Sequence, residues 1–287
     1  MKATSIVLMF ITIGICGYAQ EEKDAYRGFS FGLRLGSYFA SSKTANFYNG
    51  SGALQSGVSY AGVQYFSIQD RLDFLKLTPA AYNTLLDQFN ATGIEVPYDS
   101  SPTNMRYQPA FSFGLDMRYR IDRYSSFVLQ FQTVKLKAGD KFTLRMIGTP
   151  AQINAQQDIR LFDIMGVEQR FQLSLGYRQG WEMNEAMDFF FQPGISLSGL
   201  KVQSNAIRIG DQTYDLMMGA TGNPNVVMAY QPRTETGFGF GFATGFEVNM
   251  GKGHSAEISF STFREKMQLW EWEQVGWNKT ISATFYY

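Results

Sequence analysis

The side chains able to do chemistry in this chain are few, and their types narrow what that chemistry can be. Among 287 residues there is one His and one Cys. A hydrolase working near neutral pH most often takes its general base from His, whose pKa lies close to the working pH. The single candidate, His254, sits in Gly251-Lys252-Gly253-His254-Ser255. No nucleophile–base motif surrounds it, so it reads as a solvated turn residue. One Cys and one His cannot furnish a Cys/His metal set, and neither a metal nor a cofactor is expected. Gly237-x-Gly239-x-Gly241 has the look of a phosphate loop. Such a loop must follow a strand and open a helix, whereas these glycines lie inside an alternating segment, where they make room for bulky neighbours. The remaining constellation is a set of charges at alternate positions among mostly apolar residues: Arg34, Asp116, Arg118, Arg120, Glu168, Arg170, Arg178, Glu247 and Glu257.

The elements that position those charges follow from a period of two, the signature of a strand with one apolar face. In Phe29 to Phe39, Phe29, Phe31, Leu33, Leu35 and Phe39 alternate with Ser30, Gly32, Arg34, Gly36 and Tyr38. Phe111 to Ile121, Val167 to Tyr177 and Phe238 to Met250 repeat the pattern. These runs are 11 to 13 residues long. An ordinary strand has ~5–6 residues, and a tilted membrane strand needs ~9–11. Alternation therefore predicts an all-β antiparallel up-and-down barrel with the charges inside. Their ratio, five arginines to four carboxylates, is too balanced to set an ion selectivity. A paired network filling a narrow interior is the plainer expectation, and a polar conduit or solute-binding mouth the alternative.

Composition agrees. Lys plus Arg number 25 against 25 Asp plus Glu, and aromatics reach 16%. A balanced, aromatic-rich chain lacks the basic excess of a nucleic-acid binder and the charge-rich, aromatic-poor make-up of disorder. At the N-terminus Lys2, the apolar run Ile6 to Ile15 and Gly17-Tyr18-Ala19 have the form of a secretory signal peptide. Cleavage between Ala19 and Gln20 is expected, leaving residues 20–287 as one barrel domain. Ile15 stands where a lipobox needs a small residue before Cys16, so lipidation is not expected. So few residues flank the expected strands that no separate peptidoglycan-binding domain is foreseen. No later apolar run is long enough to span a bilayer as a helix. A membrane location would then require a closed barrel.

Short connections at Asp122-Arg123-Tyr124, 179–187 and 251–254 fix the direction of the strands. Requiring both chain ends on one side predicts ten strands: 27–39, 56–68, 71–78, 107–121, 125–137, 160–178, 188–201, 235–250, 254–266 and 274–287. Eight is the next count, if 56–78 is not a barrel hairpin. Long loops fall at 40–55, 79–106, 138–159, 202–234 and 267–273. One of them holds a helix signal, with Thr78 as cap, Pro79 at the first helical position, and Tyr82, Leu85, Leu86 and Phe89 as an apolar stripe ending before Gly93. That stripe either packs on the barrel rim or offers a contact to a partner.

Alternation leaves open whether the apolar face meets lipid or a protein core. Three features favour lipid. The opposite face is rich in Gly, Ser, Ala, Gln and Arg but poor in Lys. Aromatics cluster at strand ends, as in Phe189-Phe190-Phe191, Tyr119, Tyr124, Trp270, Trp272 and Trp277, the pattern of an interfacial girdle. The chain closes on Ile281-Ser282-Ala283-Thr284-Phe285-Tyr286-Tyr287.

In these respects the chain resembles the small porin-like outer-membrane β-barrel proteins of Bacteroidota. The resemblance implies an outer-membrane location in a Gram-negative envelope. It also implies that the final strand, with Val275, Trp277, Ile281, Ala283, Phe285 and Tyr287 outward, is read by the barrel-assembly machinery. Lys279 interrupts that face near the outer interface, where a long side chain can snorkel. Outer-membrane lipid and an envelope protein are the partners implied. Barrel hydrolases of this kind carry their sites at the outward end, away from His254. The function expected is a non-enzymatic binding, structural or envelope-complex subunit. A narrow solute channel is the first alternative and an outer-membrane hydrolase the second.

Overall fold

A computed structural model describes residues 28–51, 59–60, 63–150, 158–219, 234–251, 253–269 and 272–287. Residues 1–19, where an export signal is expected, and Trp270 lie outside them. Among the described residues, fourteen strands and three α-helices follow in chain order. They are β1 (Gly28–Phe39), α1 (Ser42–Ala45), β2 (Ser59–Tyr60), β3 (Val63–Tyr65), α2 (Ile68–Lys76), α3 (Pro79–Phe89), β4 (Gly93–Glu95), β5 (Arg106–Tyr107), β6 (Ala110–Arg120), β7 (Ser125–Ile147), β8 (Asp158–Asn184), β9 (Met187–Ile209), β10 (Gln212–Asp215), β11 (Met217–Gly219), β12 (Thr234–Gly251), β13 (His254–Leu269) and β14 (Trp272–Tyr286).

Strands β1, β6, β7, β8, β9, β12, β13 and β14 pair in that order, each antiparallel to the next. The last returns to the first, with Gly32 opposite Tyr286 and Phe39 opposite Lys279. The seam is finished by reciprocal backbone bonds between Phe31 and Tyr287. Every stave thus has two neighbours and no edge is left along the belt. The pairing followed once around does not return to its starting residue. Leu33 leads to Leu115, Phe131, Leu173, Leu197, Phe238, Lys266 and Val275, while β14 meets Leu35 at Ala283. That stagger is the geometric partner of strand tilt in a closed barrel. The connections 121–124 and 185–186 and the pairing of Gly251 with His254, with residues 28 and 287, define a turn end. The opposite, loop end carries the long connections.

The barrel expected from alternation is present, closed by eight staves rather than ten. Segment 71–78 is not a strand: most of it belongs to α2. Ser67 starts that helix with a capping box, its side chain accepting from the Asp70 backbone while Asp70 accepts from the Ser67 backbone. Such a reciprocal cap satisfies two otherwise orphaned donors and overrides the weak alternation of Arg71 to Leu77. Of 56–68, β2 and β3 form a short hairpin joined to β11 in a separate small sheet, and Ile68 already opens α2.

The expected loops 138–159 and 202–234 also differ. β7, β8 and β9 run on past the other staves, so Asp140 still faces Ile164 and Ile164 faces Ile207. β4 and β10 add to the flanks of this extension. On its inner face an apolar core gathers Phe142, Leu144, Ile164, Ile207 and Ile209 with Phe47, Tyr48, Ile68, Leu72, Leu85, Met105 and Leu216 from the connections. This core caps the loop end. The stripe of α3 belongs to it: Leu85 is fully buried, and Tyr82, Leu86 and Phe89 pack against the cluster. The backbone N–H of Ile94 donates to the Tyr82 hydroxyl, and Phe89 meets Phe162 edge to face at 5.6 Å. Placed inward in this way, Tyr82, Leu85, Leu86 and Phe89 are not a free contact surface for a partner.

Below the cap, the outward face is apolar around the circuit. Phe29, Leu33, Phe113, Leu115, Phe127, Phe131, Leu173, Leu175, Ile195, Leu197, Phe238, Phe240, Ile258, Phe260, Trp277, Ile281 and Phe285 are all exposed. Aromatic contacts ring the turn end: Phe29–Tyr119 at 4.8 Å, Phe127–Tyr177 at 5.6 Å and Trp181–Phe189 at 5.8 Å. Phe190 departs from the expected girdle, because its parity turns it inward and buries it. The glycines of β12 serve close strand approach: a Cβ on Gly241 would stand 2.0 Å from the Thr262 carbonyl oxygen.

Candidate functional site: the filled barrel interior

Alternation sends every second side chain of each stave inward, and on the inner side this chain carries charge. Eight of the expected residues, Arg34, Asp116, Arg118, Glu168, Arg170, Arg178, Glu247 and Glu257, are buried there. Arg120 lies at the turn end with its side chain 35% exposed. Burying such groups singly would be costly, and the structure pairs them in two layers.

The layer nearer the turn end is continuous. Arg34 meets Asp116 at 2.6 Å and lies 3.7 Å from Glu257. Arg178 reaches Glu257 at 2.7 Å and Glu247 at 3.5 Å. Glu247 also takes Arg118 at 2.6 Å and Arg120 at 2.8 Å. Two aromatic rings complete it, with the Arg118 guanidinium 3.9 Å above Tyr286 and that of Arg178 3.9 Å above Phe190. A cation over a ring face is attracted to its quadrupole, more so when desolvated. Gly32 leaves the room this needs, since a Cβ there would approach the Tyr286 ring to 2.9 Å.

The second layer lies toward the cap. Arg170 pairs with Glu168, and Glu168 accepts hydrogen bonds from the hydroxyls of Tyr48 at 2.6 Å and Tyr107 at 3.0 Å. The guanidinium donates to Thr44 at 2.9 Å and to Asn278 at 3.3 Å. Asn278 in turn donates to Glu265 at 2.6 Å. Thr44, Tyr48 and Tyr107 come from the connections, so the cap is joined to the lumen by hydrogen bonds as well as apolar packing.

Glu265 was not among the residues expected. It is buried, inward-facing on β13, and held by Gln172, Ser196 and Ser198 besides Asn278. Extending the inward parity of 254–266 beyond Glu257 would have found it. Counting it gives one carboxylate for each lumen arginine. Tyr286, Tyr48 and Tyr107 were missed as network members for a different reason: a tyrosine in an alternating strand or a loop carries no sign that its hydroxyl faces a carboxylate.

Chemically, the interior is densely filled. Its charged groups are paired with one another, and Val128, Gln130, Gln132, Ser174, Gln192 and Thr284 are buried between them. A pocket of about 120 Å³ opens at the turn end beside Arg118, Arg120, Arg123, Glu185, Asp188 and Glu247. Its cations and carboxylates balance, so it favours neither sign of ligand. His254 is exposed at this same end. Among the described residues no group of three or more His, Cys, Asp or Glu side chains is arranged to hold a metal ion.

No protein-family model matches the chain, and no curated protein matches it. Among solved structures it is similar to Neisserial surface protein A, with 8% identity over 90% of this chain and 97% of that one, at a TM-score of 0.42. It is also similar to the outer membrane protein OprG from Pseudomonas aeruginosa, with 7% identity over 91% and 97% of the two chains and a TM-score of 0.38. A third is Ail, the attachment invasion locus protein of Yersinia pestis, with 10% identity over 90% and 99% and a TM-score of 0.33.

Proposed function

We propose that this protein is a non-enzymatic outer-membrane β-barrel, closed to solutes, that acts through its loop-end cap as a binding, structural or envelope-complex subunit. The carrying observation is the inversion of polarity. Large apolar side chains stand exposed around the whole belt, while arginine and carboxylate side chains are buried inside. In water such a belt is far larger than the apolar patches soluble monomers expose. In a bilayer it is the face that lipid requires, and barrel closure satisfies the backbone. The turn end, with its short connections, belongs on the periplasmic side, and the cap projects outward.

Export with cleavage at Ala19–Gln20 belongs to the same reading. So does insertion by the barrel-assembly machinery through β14, whose Ile281, Phe285 and Tyr287 are exposed beside half-buried Ala283. The filled interior favours a closed barrel over a channel, and the exposed position of His254, first residue of β13 at the turn end, gives no support to a hydrolase. Membrane fractionation with heat-modifiable migration on unboiled gels tests the barrel. Recovery as soluble periplasmic protein would overturn it. Planar-bilayer recording tests closure: no steady unitary conductance is expected, and a steady conductance from the unmodified protein would refute the closed reading.

A further inference from the structure

We propose that Lys135, Lys137 and Lys201 form a binding site for the phosphate-bearing headgroup of an outer-leaflet lipid that carries more than one negative charge. The proposal rests on the membrane reading above and sharpens it to a lipid class.

The three lysines come from adjacent staves. Lys135 of β7 stands opposite Gln169 of β8, and Gln169 stands opposite Lys201 of β9. Lys137 lies one pleat further toward the cap, opposite Val167. All four polar side chains point away from the lumen, Lys135 and Lys137 exposed and Gln169 and Lys201 half-buried. Neighbouring strands are about 4.8 Å apart, so two strand spacings separate the backbones of Lys135 and Lys201, and flexible four-carbon stems let their ammonium groups converge.

Among the described residues none of the three has an ion pair or side-chain hydrogen bond. Some other surface cations are paired, as in Lys266–Glu273 at 2.8 Å, Lys76–Asp73 at 2.7 Å and Arg123–Glu182 at 2.9 Å. The outward carboxylate of this sheet, Asp163, lies further toward the cap, in register with Lys141 and Arg208. Toward the turn end the same three staves present Phe131, Phe171, Leu173 and Leu197, with Phe131 and Phe171 stacked at 6.5 Å. A row of cations one pleat above Thr133, Phe171 and Gly199, and two above Phe131, Leu173 and Leu197, matches an amphiphile: acyl chain below, phosphate above.

Snorkelling accounts for a single long side chain at an interface, and Lys279 beside exposed Trp277 is such a case. It does not account for three lysines on adjacent staves with no ion pair among them. One singly charged phosphodiester neutralises one of them, whereas a headgroup with two phosphomonoesters meets the cluster.

The test uses the full mature chain, refolded and presented with three probe lipids: zwitterionic phosphatidylcholine, singly charged phosphatidylglycerol and bisphosphorylated lipid A. Retained lipid is read by native mass spectrometry and by competition in mixed nanodiscs. Lipid A is expected to be retained preferentially. The Lys135→Gln/Lys137→Gln/Lys201→Gln variant is expected to lose about tenfold or more of that retention, since it removes every cation that faces the headgroup. Lys279→Gln is expected to match the parent, and replacing the three by Arg to restore binding. Unchanged retention in the triple Gln variant overturns the site, and equal retention of phosphatidylglycerol overturns the multiply charged headgroup. Should the triple variant lose heat-modifiable migration, Lys201→Gln alone carries the comparison. If the parent chain does not enter bilayers at all, the membrane reading itself has failed. Insertion without lipid preference refutes only the site.

Discussion

Arg34 and Asp116, on neighbouring staves β1 and β6, close a 2.6 Å ion pair with both side chains shut off from solvent. The Tyr286 hydroxyl of β14 lies 3.1 Å from the same carboxylate. Asp116 thus ties together three consecutive staves across the seam where the chain's last strand meets its first. Gln130 of β7 adds a further bond at 3.3 Å. Asp116→Asn removes the charge and leaves the Arg34 guanidinium buried beside a neutral amide. A cost of about 3–5 kcal/mol is expected for breaking a buried pair from one side. Replacing both partners together, as Arg34→Met with Asp116→Leu, is expected to cost much less. Denaturant titrations in detergent micelles measure the order. Equal losses in the single and double variants would contradict the pairing.

Glu265 gives the contrasting case. Its partners are two hydroxyls and two amides, and such groups can rotate or flip to exchange donor for acceptor. Glu265→Gln is therefore expected to be milder than Asp116→Asn, by at least about 1 kcal/mol. Glu265→Leu leaves four buried polar groups facing a hydrocarbon side chain and is expected to be worse than Gln. The same micelle titration ranks the three. A Gln variant as unstable as Asp116→Asn would show that Glu265 depends on its charge.

The difference between these two carboxylates also shows how much of the molecule was legible in the sequence. Asp116 sits in an alternating run, and strict parity alone places it inside. The inner charges of the belt and the outward face of β14 followed from that single rule. Glu265 obeys the same rule near the end of its run, where apolar neighbours thin out and the pattern fades. The cap followed no period. Phe47, Tyr48, Ile68, Met105 and Leu216 are scattered through irregular connections, and only tertiary contact gathers them. The ten-strand count failed for a related reason. Arg71 to Leu77 is too short to separate a strand from a helix by spacing, and the deciding signal was the reciprocal cap at Ser67 and Asp70 rather than the apolar residues.

Cap and lumen meet at Gly166. A Cβ there would stand 2.1 Å from the Tyr48 ring, so Gly166→Ala cannot be accepted unless Tyr48 moves. Movement would break the Tyr48 hydroxyl's bond to Glu168 and loosen the layer that also holds Arg170. A loss of about 1–3 kcal/mol is expected for such overpacking, confined to the cap. Hydrogen exchange should show faster exchange in 42–50 and at the cap ends of β7 and β8, with the amides of β1 and β14 unchanged. Uniform protection in both proteins would mean that Tyr48 does not seal the lumen.

Leu85 tests the cap from the other side. It is the fully buried residue of the α3 stripe, and Leu85→Ala is expected to cost about 2–5 kcal/mol of local stability. Because the staves close on their own hydrogen bonds, the barrel should keep its heat-modifiable migration while limited proteolysis cuts faster within 68–95. Loss of the folded band would show instead that cap and barrel fold as one cooperative unit.

The cap should also respond to acid at the start of β8. Hydrogen bonds from Arg160, and then from Thr149, hold the Asp158 carboxyl below its ordinary value despite some desolvation. Thr149 donates at 2.9 Å and Arg160 at 2.9 Å and 3.1 Å. A carboxylate whose folded pKa is depressed contributes stability that is full above the unfolded value, about 3.9 for Asp, and is lost as pH falls through the folded value. Asp158→Asn mimics the uncharged state at every pH. The parent should therefore protect the amides around 145–149 and 158–162 better than the variant at pH 7, with the advantage shrinking once pH drops below about 4. The group is close to solvent, so the effect is expected to be small and to weaken in high salt. An advantage that persists unchanged at pH 2 would mean the Asp158 side chain contributes through shape rather than charge.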